Sequence, residues 1–209
     1  MISIFALLPY SVKYEKVLDK NRSYIFVPNH FSYHDIPMAM ICTKGNIRFM
    51  AKMELGNIPI FSIFFRTIDI SVNRGSKTDS YRAWQKANES LDKNYSLIIF
   101  AEGTIGKNPP ELLQFKNGPF RLAIEKQVPV VPITMLDNWR CLRFEGNEKF
   151  GKPAFLRNIV HAPIETTGMT LQDEPMLRKK VRDIINQELQ KVYPELLNEN
   201  NTFTQNINT

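Results

Sequence analysis

The sequence predicts a single α/β domain built on a largely parallel sheet flanked by helices, and three observations point there. Strand-like and helix-like segments alternate along the chain, the pattern from which a parallel sheet is built. The run "YSLIIF" at 95–100 is short and continuously apolar, as in a strand buried on both faces. The 209 residues, 43% hydrophobic and 23% charged, are enough for one domain with a substantial core, and no repeat, linker or shift of composition marks a second.

Each element has its own signal. "YSVKYEK" and "RSYIFV" read as two strands joined by the polar turn Asp19, Lys20, Asn21. "DIPMAMIC" suits a short helix, "NIRFMA" a strand, and the bulky run "IPIFSIFF" at 58–65 a helix. "TIDISV" reads as a strand and 80–91 as a helix. After "YSLIIF" come a helix beginning "GPFRLAIEK", the strand "VPVVPITM" and a late strand within "NIVHAPIE". The last helix is the clearest: Leu177, Val181, Ile185, Leu189 and Val192 recur at helical spacing with charges between them, and Pro194 ends it.

The ends differ from the middle. Residues 1–10 are a short apolar segment closed by Pro9 and Tyr10, without the basic flank or cleavage site of a secretory signal, and suit an interfacial anchor. Residues 11–197 hold the domain, and 198–209 form a polar, Asn-rich tail expected to be disordered. No stretch approaches the roughly 20 apolar residues of a membrane span. Cys42 and Cys141 lie far apart and form no C-x-x-C pair, which argues against a disulfide framework and for a reducing compartment. A net charge of +6 and a pI near 9.3 favour anionic partners, such as phosphorylated metabolites, an acidic carrier protein or an anionic membrane face. The basic residues are scattered and no nucleic-acid module is visible, so nucleic acid is not expected.

In open α/β sheets, ligands sit beyond the C-terminal ends of the strands. Four predicted strands end in chemically loaded residues: one at Pro28, Asn29 and His30, one at Asn73 and Arg74, one at Ala101, Glu102, Gly103 and Thr104, and one at Thr134. If these strands are parallel, a histidine, an arginine and a Gly-Thr turn converge on one edge.

The first of these ends, "VPNHFSYHD", packs two of the three histidines, an acid and an amide into nine positions and admits three readings. His30 and His34 are spaced as zinc ligands can be on a helix, but Phe31 stands where H-E-x-x-H has its glutamate. Ser32 and Asp35 resemble a capping box, with Pro37 suited to a helix's first turn. Alternatively, His30 on a turn and Asp35 on the first turn of a helix form a catalytic pair. The carboxylate would fix the imidazole tautomer and stabilise the imidazolium formed when the other nitrogen takes a hydroxyl proton.

The segment "IIFAEGTIGKNPPELLQFKNGPFRLA" supplies the parts of an anion site. Gly103 permits a tight turn with exposed N–H groups, Thr104 adds a hydroxyl, and Lys116 and Arg121 add charge. Arg74 suits a bidentate phosphate contact. Glu102 is unusual in such a site and would orient Arg74 or accept a hydrogen bond from a substrate hydroxyl.

Together these stretches resemble the glycerolipid acyltransferase family, whose best-known members are the lysophosphatidate acyltransferases. The family's N-H-x-x-x-x-D is matched by Asn29 to Asp35, its post-strand arginine block by "TIDISVNR", its F-P-E-G-T by Phe100, Ala101, Glu102, Gly103 and Thr104, and its V-P-V-x-P-like block by 128–132. The four blocks occur in order, and the resemblance covers about residues 10–165. Ala101 replaces the family's proline, and Ile105 stands where an arginine often follows E-G-T, which leaves room for a different acyl acceptor. Relatives usually carry an apolar segment before the first strand; here about ten residues precede it.

The resemblance implies an O-acyltransferase that moves a fatty acyl group from acyl-CoA or acyl carrier protein to a lysophospholipid hydroxyl, with 1-acylglycerol-3-phosphate as the leading acceptor and phospholipid biosynthesis as the setting; the alternatives are another lysolipid acceptor, such as an amino-acid lipid, or a lipid-binding module without catalysis. His30 is then the general base and Asp35 its orienter, while Arg74, Glu102, Gly103 and Thr104 hold the acceptor's phosphate and glycerol. Lys116 and Arg121 are added as substrate-binding residues from charge and position, and His34, in a variable motif position, has no catalytic role. No metal and no resident cofactor are expected, the thioester being a co-substrate. A peripheral or weakly anchored place on the cytoplasmic face of a membrane is expected, and 58–65 would line an acyl-chain groove, touch the membrane or be plain core.

Overall fold

The computed structural model describes residues 8–52, 70–72, 77–145 and 148–196. Arg74, the apolar stretch 58–65, most of the segment 1–10 and the tail 198–209 lie outside them.

The strands are β1 (Tyr10–Tyr14), β2 (Ile25–Pro28), β3 (Ile47–Lys52), β4 (Ile70–Val72), β5 (Ser96–Ile99), β6 (Val130–Met135), β7 (Arg143–Glu145), β8 (Glu148–Phe150) and β9 (Leu156–Val160). The helices are α1 (Asp35–Cys42), α2 (Lys77–Asp92), α3 (Gly118–Lys126), α4 (Asn138–Cys141) and α5 (Glu174–Val192). Seven strands form one sheet in the order β1-β9-β6-β2-β5-β3-β4, and β7 and β8 make a separate antiparallel pair.

From β6 to β4 every neighbour is parallel. β9 joins β6 antiparallel and β1 joins β9 parallel, so β1 and β9 run against the other five. The largely parallel sheet expected from the sequence is therefore present with a reversed pair at one side. β1 and β2, neighbours in sequence, are not neighbours in the sheet, because β1 pairs with a strand some 145 residues later, Tyr10 opposite Leu156. The late strand begins earlier than "NIVHAPIE" suggests and ends at Val160, leaving Ile164 as an isolated bridge to Val130. The β7–β8 pair and α4 carry too few residues for a periodic signal and were not expected.

The three central strands β2, β5 and β6 are buried at every position, as their largely apolar runs suggest. Alternate residues serve opposite faces. Ile25, Val27, Leu97, Ile99 and Val130 pack with Ala83, Ala87 and Leu91 of α2, with Leu122 and Ile124 of α3, and with the α5 stripe. Phe26, Ile98, Val131 and Ile133 pack on the other side with Ile36, Met38, Ala39 and Cys42 of α1. In α5, Leu177, Val181, Ile185 and Leu189 are each 0% exposed, and each such side chain contributes about 1.5–3 kcal/mol of burial.

Two local signals set the helices that flank β6. α3 begins with Pro119 in its first turn, where a missing N–H costs nothing, and ends at Gln127, whose left-handed backbone turns the chain into β6. α5 follows a one-turn 3₁₀ helix whose Thr170 and Asp173 cap each other reciprocally. Both devices fix β6 and α5 against the sheet, and the chain leaves β6 at the edge where the parallel strands end. No helix among the described residues is long and apolar enough to cross a membrane.

Candidate active site

The C-terminal ends of the parallel strands β2, β5 and β6 share one edge of the sheet, and the loops leaving them meet there. β2 ends at Pro28, but its ladder continues by one side chain. The Asn29 amide donates to Met135 O (3.0 Å) and accepts from Met135 N–H (2.7 Å), taking the place of a further strand residue. His30 is thereby set just beyond the sheet edge.

Four contacts fix His30. Its backbone N–H donates to Glu102 Oε1 at 2.7 Å, and its carbonyl accepts from Gly106 N–H at 2.9 Å. Its ring stacks on Phe100, with centroids 4.0 Å apart and planes 20° from parallel. Its Nδ1 lies 3.1 Å from Asp35 Oδ2. Among the described residues Nε2 has no hydrogen-bond partner, although only 8% of the side chain is exposed.

Asp35 is 0% exposed, and a buried carboxylate needs donors to replace its water. It has four. Phe31 N–H (2.6 Å), Ser32 N–H (2.7 Å) and the His30 ring reach Oδ2, and Asn138 Nδ2 reaches Oδ1 at 2.9 Å. α1 begins at Asp35 itself, so the chain folds back as a turn-to-helix pair requires. Half of the capping-box reading is present, since Ser32 N–H meets Asp35. The other half is not: the Ser32 hydroxyl accepts from His34 N–H and donates to Leu142 O. His30 lies before the helix and His34 at its start, so they do not share a helical face, and among the described residues no cluster of three or more acids, histidines or cysteines is placed to hold a metal. Cys42 and Cys141 are both free thiols.

Glu102 sits differently from the sequence expectation. It is 2% exposed, and its two oxygens accept main-chain N–H groups, Oε1 from His30 and Oε2 from Leu113 (2.8 Å). Burial pushes its carboxyl up to about 8, opposed by those two N–H groups and by Arg182, and reinforced by the charge of Asp35. Its contacts join the β5 loop to the His30 turn. Gly103 has φ +78°, a conformation that suits glycine, and its N–H donates to Phe100 O at 3.0 Å, so that N–H closes the turn instead of standing exposed. Thr104 is exposed beside it.

The two basic residues added from charge and position are not drawn into this cluster. Lys116 is exposed, and its backbone N–H binds Ala101 O. Arg121 lies along the outer face of α3, 49% exposed and 3.7 Å from Glu125 one turn on. Sequence proximity to the E-G-T turn suggested them, and the side chain of Arg121 contacts Glu125 of its own helix. The sequence reading also missed Phe100 as the platform for the imidazole and Asn138 as a partner of Asp35. An aromatic residue ending the β5 run was the available signal for the first. Nothing local marks the second, which lies 103 residues from Asp35.

A family model described as "Acyltransferase" matches residues 10–136. An uncharacterized acyltransferase of Schizosaccharomyces pombe is 32% identical over 187 residues, covering 88% of this chain and 66% of that protein. A 1-acyl-sn-glycerol-3-phosphate acyltransferase of Helicobacter pylori is 33% identical over 115 residues, covering 54% of this chain and 48% of that one. The chain thus spans about half to two thirds of these relatives. Among solved structures, the 1-acyl-sn-glycerophosphate acyltransferase of Thermotoga maritima superposes with a TM-score of 0.72 at 26% identity, covering 91% of this chain and 76% of that one.

Proposed function

The chain belongs to the glycerolipid acyltransferase family, and from that premise we propose that it transfers a fatty acyl group from a thioester, acyl-CoA or acyl carrier protein, to the free hydroxyl of a lysophospholipid in phospholipid biosynthesis. The acceptor is 1-acylglycerol-3-phosphate, the substrate class named for the bacterial relatives. One observation supports the mechanism: a buried imidazole with Nδ1 held by a carboxyl oxygen and Nε2 without a partner among the described residues at the strand-end edge.

With Nδ1–H directed at Asp35, Nε2 carries the lone pair and is the base. It takes the proton of the acceptor hydroxyl as that oxygen attacks the thioester carbonyl carbon. The tetrahedral oxyanion collapses, the carbon–sulfur bond breaks, and the thiolate leaves with the proton returned from His30. The products are an acylated lipid and a free thiol, with no acyl-enzyme. Asp35 offsets the positive charge of the imidazolium between the two proton transfers. A positioned base of this kind contributes about 10²- to 10⁴-fold in rate. Glu102 and Gly103 build the turn beside the base, and Arg74 and Thr104 are the acceptor-binding residues of this reading. The chemistry takes place at a membrane surface, on the cytoplasmic face, where the +6 charge draws the protein to anionic lipid.

Ile105 favours a second reading within the same chemistry. With no arginine after the E-G-T turn, an acceptor lacking a phosphomonoester, such as an amino-acid lysolipid, would lose less binding here. Incubation with a labelled acyl thioester and a panel of lysolipids, followed by mass identification of the product, separates the two. A labelled phosphatidate supports the first acceptor, an acylated amino-acid lipid the second, and free fatty acid alone would make the protein a hydrolase.

A further inference from the structure

We infer that Asn138 is a positioning residue of the His30–Asp35 pair, a third member that acts through the aspartate; this rests on His30 being the base. Asp35 divides its contacts unequally. Oδ2 receives the imidazole and two backbone N–H groups, whereas Oδ1 receives, among the described residues, only the Asn138 amide, 2.9 Å away. That bond holds the opposite end of the carboxyl against rotation, and so reinforces the direction in which Oδ2 faces Nδ1. Asp35 is 0% and Asn138 1% exposed, so solvent is poorly placed to substitute.

The orientation of the amide is determined by its neighbours. Its Nδ2 contacts Asp35 Oδ1 and, at 3.3 Å, Met135 Sδ, both acceptors. Turning it over would press Oδ1 of Asn138 against a carboxylate oxygen. In the observed orientation, Asn138 Oδ1 is buried with no partner among the described residues, so the side chain is placed for Asp35 at the expense of its own second group. An amide suits the task because it donates without adding a positive charge that would compete with the imidazolium for the carboxylate.

The rest of the fold holds Asn138 there. The preceding residue, Asp137, is 2% exposed and accepts from Arg157 Nε (2.7 Å), Arg157 N–H (3.1 Å) and the Tyr193 hydroxyl (2.7 Å). β9 and the end of α5 therefore clamp the turn that presents Asn138, which ties the pair to the strand that runs against the sheet.

The test uses the full chain as Asn138→Leu, which keeps the volume and removes the donor, and Asn138→Gln, which restores a donor on a longer arm. With ¹⁵N-labelled histidine and no substrate present, wild-type His30 reads as the Nδ1–H tautomer. The expected result for Asn138→Leu is a mixture of tautomers, a kcat lower by about 10- to 100-fold, and KM for both substrates within about twofold. Asn138→Gln recovers part of both. An unchanged tautomer in a folded Asn138→Leu protein overturns the inference, as does a loss confined to thermal stability. The tautomer is read without turnover, so an inactive wild type would count against the proposed reaction and leave this result standing.

Discussion

Among the described residues, two histidine–carboxylate pairs of nearly equal length stand in different surroundings. His30 Nδ1 is 3.1 Å from Asp35, and His161 Nδ1 is 3.0 Å from Glu15. The second nitrogen separates them. His161 Nε2 is taken by the Thr134 hydroxyl at 2.8 Å, so both ring nitrogens are engaged and Thr134, 0% exposed, is inaccessible. His30 Nε2 has no such partner among the described residues. The acids differ as well: Asp35 is fully buried among four donors, while Glu15 is 39% exposed and accepts from His161 and Ala162 N–H. The strands that carry them run in opposite directions: His30 lies beyond the edge where the parallel strands end, whereas His161 lies beside the middle of β6, its N–H donating to Pro132 O. His161 lines a cavity of about 580 Å³ together with Lys180, Glu165 and Glu188, where Glu165 pairs with Arg22 and Glu188 with Lys191. A short His–acid distance is thus no mark of catalysis. The free nitrogen and its place in the topology are what set His30 apart.

Substitutions should divide along this line. The largest expected effect outside His30 itself is Asp35→Asn: kcat falls by about 10²- to 10⁴-fold, because the imidazole loses its orienting charge. If steady-state assay shows full activity and denaturation a loss of only about 1 kcal/mol, Asp35 is a cap and nothing more. Next comes Glu102→Gln. One of two buried backbone N–H groups then faces an amide N–H, and stability drops by about 1–3 kcal/mol in urea titration, with kcat reduced roughly 10- to 100-fold as the His30 turn loosens. The wild type also carries a pH signature here. The unfolded chain ionises Glu102 near 4.5 and the folded one near 8, so the folded state binds more protons between those values and stability declines as pH rises through them; Glu102→Gln should flatten that slope.

The other pair should affect stability alone. His161→Ala leaves kcat within about twofold and costs about 1–3 kcal/mol, since Thr134 and Glu15 lose a buried partner. Burial holds His161 below its ordinary 6.5, against the upward pull of Glu15. The unfolded state therefore takes up the proton first as pH falls, and the contribution present above 6.5 is lost below it, a slope that calorimetry should find reduced in His161→Ala. The smallest effect is Glu165→Gln at the rim of that cavity. Its ion pair with Arg22 is exposed on both sides, so a change of about 1 kcal/mol or less, weakened further by salt, is the expected outcome of thermal melts.

What the sequence made legible is what is local. His30 and Asp35 lie five residues apart after an apolar run, so a turn followed by a helix brings them together without help from the rest of the chain. α1 and α3 fall on the predicted segments because Pro37 and Pro119 mark their first turns. Pairings made over long distances left no local trace. Asn138 reaches Asp35 only because β6 lies beside β2, and β1 finds β9 rather than the adjacent β2 for reasons of sheet order. Glu102 shows a third limit: its position was read correctly, but its contacts depend on burial, which converts an apparent ligand into a clamp on two backbone amides. Charge and position pointed to Lys116 and Arg121, and charge does not reveal that Arg121 lies one turn from Glu125 on its helix.

The most direct test sets the two histidines against each other in one assay. Purified His30→Ala and His161→Ala, each confirmed folded by circular dichroism, are given labelled acyl thioester and 1-acylglycerol-3-phosphate, and acylated lipid is counted. The account predicts no product above background from His30→Ala and near-normal turnover from His161→Ala. Retained turnover in a folded His30→Ala protein would contradict it.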